Sequence, residues 1–249
     1  MNDELSDWLI VIPSRLGSTR LPEKSLADLG GKPLVVRVYD RTRALRDLGA
    51  KVLVATDSDR ILAVCHEHHI PAEMTGIEHL SGSDRCAEVA GRHPSDFIMN
   101  VQGDEPFIDG DDLLRLARLL MRRPFVGMGT LAAPLRDSKL FHDSNVVKVV
   151  LTRDQRALYF SRSPIPWSKE EAAEFWGHVG IYAFRREALQ DFIKFPRSDL
   201  ETRESLEQLR ALDHGMEIVV ERASRLSLNI NTPQDLEEAR RHFSTDKGN

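Results

Sequence analysis

Apolar and polar positions divide the chain into short buried-strand runs alternating with amphipathic stretches. Trp8-Leu9-Ile10-Val11-Ile12-Pro13 is apolar and rich in β-branched residues, the composition of a strand covered on both faces, and it stops abruptly at a polar loop. Gly30-Gly31-Lys32 then predicts a turn. Pro33 can take the first helical position, with Leu34, Val35, Val38 and Tyr39 on one face. Lys51 to Thr56 repeats the strand pattern, and Asp57 or Ser58 can cap a helix carrying Ile61, Leu62 and Cys65. Phe97 to Val101 predicts a strand and Asp111 to Met121 a helix. This alternation predicts a parallel sheet with helices on its faces.

Beyond about residue 145 the pattern changes. Val146 to Leu151 and Ala157 to Ser161 predict strands around the turn Thr152-Arg153-Asp154-Gln155, and Val179 to Phe184 another, so the sheet should be mixed. Helices are expected over Leu200 to His214 and Pro233 to Phe243, with strand-like Glu217 to Val220 and Leu226 to Ile230 between them. No repeat or linker marks a boundary, so residues 1–249 are expected to form a single domain.

Composition narrows the class. Of 249 residues, 41% are hydrophobic and 29% charged, the balance of a soluble globular protein. The net charge of −5 argues against a surface built wholly to clamp nucleic acid, although it permits a local basic pocket. Cys65 and Cys86 alone cannot make a disulfide framework or a four-ligand zinc site and are expected to be buried thiols. The acidic N-terminus lacks the features of a signal peptide, and no uncharged run could span a bilayer, so a cytoplasmic location is expected.

Candidate chemistry concentrates after the first strand. Pro13 to Lys24 holds Arg15, Arg20 and Lys24 with Gly17, Ser18 and Thr19, at the carboxyl end of a buried strand where open α/β sheets bind ligands. Such a loop can surround a polyphosphate, although a merely solvated basic loop would look the same. It matches neither G-x-x-x-x-G-K-[ST] nor G-x-G-x-x-G. Asp104 also follows a buried strand and a glycine, so its carboxylate should face the same crevice. There it suits Mg²⁺ shared with phosphates, or serves as an ordinary turn residue. Ser81-Gly82-Ser83-Asp84 satisfies a capping box ahead of Cys86, Ala87, Val89 and Ala90. His178 and Tyr182 should share one side of a strand, and Glu204, Glu207 and Gln208 one face of a helix, ordinarily a solvated one. His66-Glu67-His68-His69 is not H-E-x-x-H, and no G-x-S-x-G occurs.

The run Ile12-Pro13-Ser14-Arg15, with Ser18 to Pro22 and Lys24, resembles the opening of sugar-activating nucleotidyltransferases, and among them the 3-deoxy-manno-octulosonate (Kdo) cytidylyltransferases. Further blocks resemble that family in its order: Ser81 to Arg85, Asn100 to Pro106, Val147 to Val150, Ala157 to Arg162 with Ile165-Pro166-Trp167, His178 to Tyr182, and Leu206 to Arg210. The resemblance covers roughly residues 8 to 242. It implies a Rossmann-like nucleotidyltransferase fold with a mixed, mostly parallel central sheet. A hairpin-containing subregion over about 150–215 would bind sugar and make a homodimer contact. The implied reaction is CTP plus sugar acid to CMP-sugar plus pyrophosphate, with Mg²⁺, for lipopolysaccharide synthesis. Carried over residue by residue, the resemblance makes Arg15, Lys24 and Asp104 catalytic, and gives the nucleotide Pro13, Ser14, Arg15, Arg20, Lys24, Ser81, Arg85 and Gln102. It gives the sugar Arg162, His178, Tyr182, Glu207 and Gln208, and the metal Asp104 and Asn231.

Three positions depart from the family pattern. Glu23 and Ser25 stand where members usually have Gly and Pro, and a carboxylate at 23 would repel a triphosphate unless it pointed away. Asn231 stands where members carry a metal-binding Asp. It offers a carbonyl oxygen without charge, so weaker metal binding is expected. Thr232-Pro233-Gln234-Asp235 is a good helix start by itself. Transfer to an 8-amino analogue of Kdo, transfer from another nucleotide, and a paralogue that binds without catalysis remain open on the sequence.

Overall fold

The structure is a computed structural model that describes residues 3–17, 21–170 and 174–245. In chain order its elements begin with β1 (Trp8–Ser14), a 3₁₀ turn (Lys24–Leu26), α1 (Leu34–Arg41), α2 (Arg43–Arg46) and β2 (Lys51–Thr56). Next come α3 (Asp59–Glu67), β3 (Ala72–Met74), α4 (Gly82–Arg92), β4 (Phe97–Asn100), α5 (Gly110–Met121), β5 (Met128–Leu135) and α6 (Ser138–His142). The rest are β6 (Lys148–Leu151), β7 (Ala157–Ser161), β8 (Phe175–Arg185), α7 (Arg186–Phe192), α8 (Asp199–Glu204), α9 (Gln208–Asp213), β9 (Ile218–Arg222) and α10 (Pro233–Thr245). Among the described residues no helix is long and apolar enough to cross a membrane.

The chain forms two compact units, residues 1–113 with 227–249, and residues 114–226. In the first, the strands are parallel in the order β3-β2-β1-β4. Trp8 to Ile12 of β1 are buried to within 1% exposure, as a strand covered on both faces requires, and the Trp8 ring stacks on Phe97 at 4.8 Å. Ser58 caps α3 as expected, whereas Pro33 sits just before α1 with extended ψ rather than inside it. Because β1 has β2 on one side and β4 on the other, the strand order reverses at β1. The crevice beyond the carboxyl ends of β1 and β4 is therefore a topological switch point, where α/β sheets bind ligands.

In the second unit, β5 runs parallel to β9 and antiparallel to β8, while β6 pairs antiparallel with both β7 and β8. The arrangement is the expected mixed α/β sheet with a β6-β7 hairpin. Two further expectations need correction. Leu226 to Ile230 is no strand; among the described residues it makes, instead of a ladder, the main-chain bond from Ile230 N–H to the Asp104 carbonyl at 3.0 Å. The single helix expected over Leu200 to His214 is two, because Ser205 takes the left-handed conformation (φ 54°) and ends α8. Glu204 therefore does not share a helix face with Glu207 and Gln208.

Candidate active site

Strand β1 delivers Pro13 and Ser14 to the switch point, and β4 delivers Gln102-Gly103-Asp104 beside them. A Cβ on Gly103 would lie 2.6 Å from the Pro13 carbonyl oxygen and 2.8 Å from Ser14 Oγ, so only glycine lets the two loops approach this closely. A cavity of about 280 Å³ opens there. Its lining includes Pro13, Ser14, Arg15, Lys24, Ser81, Arg85, Gln102, Asp104 and Asn231, which the structure thus brings together. Arg20 lies outside the described residues. His79 and Leu80 also line the cavity, and nothing in the sequence pattern had marked them; Ser25, marked only as a departure from the family pattern, lines it too.

Charge in the cavity is arranged around Lys24. Its ammonium donates to Asp104 Oδ2 at 2.7 Å and to Asn231 Oδ1 at 3.3 Å, joining residues far apart in sequence. Asn231 reaches this point because Ile230 is tied to the Asp104 carbonyl and α10 starts immediately after it. Asp235 accepts from the Asn231 and Thr232 N–H groups, both at 2.8 Å, and Thr232 Oγ1 accepts from Asp235 N–H at 3.2 Å. Next to Asp104, Glu105 is fully buried. Burial, then the Asp104 charge, push its pKa up to about 8, so it is largely protonated at neutral pH and adds little negative charge. Ser14 Oγ is buried with no hydrogen-bond partner among the described residues.

Two of the expected nucleotide residues already have structural duties. Ser81 Oγ accepts from Asp84 N–H at 3.1 Å and Asp84 Oδ2 from Ser81 N–H at 3.0 Å, a complete capping box on α4. The buried Arg85 guanidinium donates to Asp57 Oδ2 at 2.7 Å and also meets Thr75 Oγ1. Both departures in the loop are accommodated. Glu23 adopts φ 55°, the left-handed region natural to glycine, and its carboxylate forms a two-point pair with Arg60 of α3, one contact being 3.0 Å. Ser25 is buried and donates to the Arg15 carbonyl at 3.3 Å.

The expected sugar-binding side chains all lie in the second unit. The β8 strand carries a bulge opposite Thr130/Leu131, and His178 and Tyr182 still face the same side, with ring centroids 5.6 Å apart. Thr130 donates its hydroxyl proton to the Ile181 carbonyl at 2.7 Å, so its oxygen accepts from His178 Nε2–H at 2.9 Å and Nδ1 is left as an acceptor. Burial pushes the His178 pKa down to about 3, keeping the ring neutral. Tyr182 OH donates to Gln208 Oε1 at 2.9 Å, and burial, then the Glu207 charge, raise its pKa well above the usual phenol value. Gln208 Nε2 is buried without a hydrogen-bond partner among the described residues. Glu204 instead fastens the end of β7, accepting from Ser161 Oγ at 2.6 Å and from Arg162 N–H at 2.8 Å.

The family described as cytidylyltransferase matches residues 9–218. The 3-deoxy-manno-octulosonate cytidylyltransferase of Polynucleobacter necessarius subsp. necessarius is 44% identical over 242 residues, covering 94% of each chain. That of Leptothrix cholodnii is 45% identical over 254 residues, covering 97% of this chain and 93% of its own. A solved CMP:2-keto-3-deoxy-manno-octonic acid synthetase complexed with CTP superposes with a TM-score of 0.91 at 39% identity, covering 97% of this chain and all of the other. A cytidylyltransferase from Leptospira borgpetersenii, 18% identical with a TM-score of 0.65, shares the fold. Identity of this order over nearly the whole length places the chain in the 3-deoxy-manno-octulosonate cytidylyltransferase family.

Proposed function

We propose that the protein activates Kdo, joining it to CTP to give CMP-Kdo and pyrophosphate, the sugar donor step of lipopolysaccharide synthesis in the cytoplasm. The observation that carries this reading is the near-full-length identity to relatives of that activity. In the reaction the anomeric hydroxyl oxygen of the sugar bonds to the α-phosphorus of CTP, its proton passes to solvent, and the bond from that phosphorus to the departing pyrophosphate oxygen breaks. Arg15, Arg20 and Lys24 are assigned to the phosphates, where their charge offsets the negative charge that grows on the leaving group. Gln102 and the Ser81 helix start are assigned to the nucleoside. In the second unit, Arg162 is assigned to the sugar carboxylate, and neutral His178, with Tyr182, Glu207 and Gln208, to the sugar hydroxyls. The two units are taken to work as one catalytic domain.

Magnesium fits the residues present. Asp104 Oδ2 and Asn231 Oδ1 already converge on one cation, the Lys24 ammonium, and an all-oxygen donor set is what Mg²⁺ prefers. Bound there with the triphosphate, Mg²⁺ would polarise the α-phosphate and offset its charge. Asp104 and Asn231 would hold it. Asn231 supplies no charge, so tighter metal binding is expected when that position is Asp.

The deciding experiment measures pyrophosphate release with CTP, UTP and ATP, each offered with Kdo and with its 8-amino analogue. Release with CTP and Kdo is expected. Tight CTP binding with no release from any pair would mean a binding protein instead. The pairing of Glu23 with Arg60 removes one of the grounds for that alternative, because the carboxylate is spent away from Lys24.

A further inference from the structure

Lys148, at the start of β6, is wholly buried, and the proposed chemistry leaves it without a task. Its three ammonium protons meet three backbone carbonyls: Asp143 at 2.9 Å, Val146 at 2.5 Å and Arg162 at 2.6 Å. A buried ammonium is tolerated only when all its donors are taken, and here no side-chain acceptor is used. The lysine therefore cross-links the 143–146 segment to the residue that follows β7.

The same segment grips the Arg162 side chain. The Ser144 carbonyl, between the two carbonyls that Lys148 holds, accepts from Arg162 Nη1 at 3.0 Å, while Arg162 Nε donates to the Glu204 carbonyl at 2.8 Å. The Arg162 main chain is held at both ends, its carbonyl by Lys148 and its N–H by Glu204 Oε2 at 2.8 Å. With Nε and one Nη1 proton spent, the remaining Nη1 and Nη2 protons on the terminal edge are the part of the guanidinium fork left for a two-point bond to a carboxylate. Where that edge points depends on where the Ser144 carbonyl is held, and Lys148 holds its neighbours on either side.

We propose that Lys148 is a positioning residue: by fixing the carbonyls of the 143–146 segment and of Arg162, it aims the Arg162 guanidinium edge at the carboxylate of the sugar acid. This rests on the assignment of Arg162 to that carboxylate. Met at 148 keeps the length and removes the donors. Gln keeps two N–H donors and is expected to give an intermediate effect, and it replaces Met if the Met variant does not fold.

The test is a double-mutant cycle on Lys148→Met and Arg162→Ala, read as KM for Kdo, kcat and the equilibrium Kd for CTP. Lys148→Met is expected to raise the Kdo KM by about tenfold or more while leaving the CTP Kd within about twofold. In the Arg162→Ala background it should add less than about twofold, since the residue to be aimed is gone. A Kdo KM unchanged by Lys148→Met, or effects that multiply in the double variant, would overturn the proposal with Arg162 still standing. A Kdo KM unchanged by Arg162→Ala would overturn the assignment of Arg162, and the proposal with it.

Discussion

Glu23 takes a φ of 55°, so the loop needs a left-handed residue at this position, a conformation natural to glycine. Glutamate meets the need at a conformational cost and spends its carboxylate on Arg60. Glu23→Gly should therefore leave the CTP Kd within about twofold, whereas Glu23→Val, β-branched and poorly suited to positive φ, should weaken CTP binding markedly. Isothermal titration with CTP distinguishes the two. His178 makes a prediction of opposite character. Its folded pKa of about 3 lies below the ordinary 6.5, so between those values the unfolded chain binds a proton that the folded protein refuses. Its contribution to stability is thus constant above pH 6.5 and declines as pH falls towards 3. Urea unfolding at pH 6 and pH 4 should show the native protein losing up to about 1.4 kcal/mol per pH unit more than His178→Gln. Equal losses would mean that the ring titrates freely.

At the scale of elements, local signals carried far. The buried run of β1, the Ser58 cap of α3 and the capping box opening α4 each lie within a few residues of sequence, and each formed as its pattern required. Strand β5 is not legible in the sequence, because Gly129, Ala132, Ala133 and Pro134 give it a weak strand composition. It exists because β8 and β9 supply its ladders and because small residues fit the space: a Cβ on Gly129 would already lie 3.0 Å from Leu116. The break between α8 and α9 was hidden too, since Ser205 carries no glycine-like warning of its left-handed backbone. Ser205→Gly should accordingly raise stability, by up to about 1 kcal/mol, in urea unfolding. A loss of stability would mean that the serine side chain matters more than its backbone.

Across the whole molecule, a loop that carries Arg15, Arg20 and Lys24 sits in a chain whose net charge is −5, so the local arrangement matters more than the total. Leu158 and Trp167 are 59% and 79% exposed, large apolar groups in the region after residue 150. They are the side chains on which the homodimer contact implied by the family resemblance would rest there. Light scattering should report twice the 28.2 kDa chain mass, and Trp167→Glu should lower it towards the monomer. A native protein that scatters as a monomer at micromolar concentration would remove the dimer from the account.

The sequence by itself determined most of the alternating elements, the mixed sheet and the family, because periodicity, caps and short motifs are written within a few neighbouring positions. Only the tertiary structure decided how individual side chains are used. It brought Lys24 between Asp104 and Asn231, turned Glu23 to Arg60, diverted Glu204 to Ser161 and Arg162, and closed three carbonyls on Lys148. Each of these depends on a backbone angle or on a partner tens to hundreds of residues away or in an irregular segment, where no local pattern specifies which donor meets which acceptor.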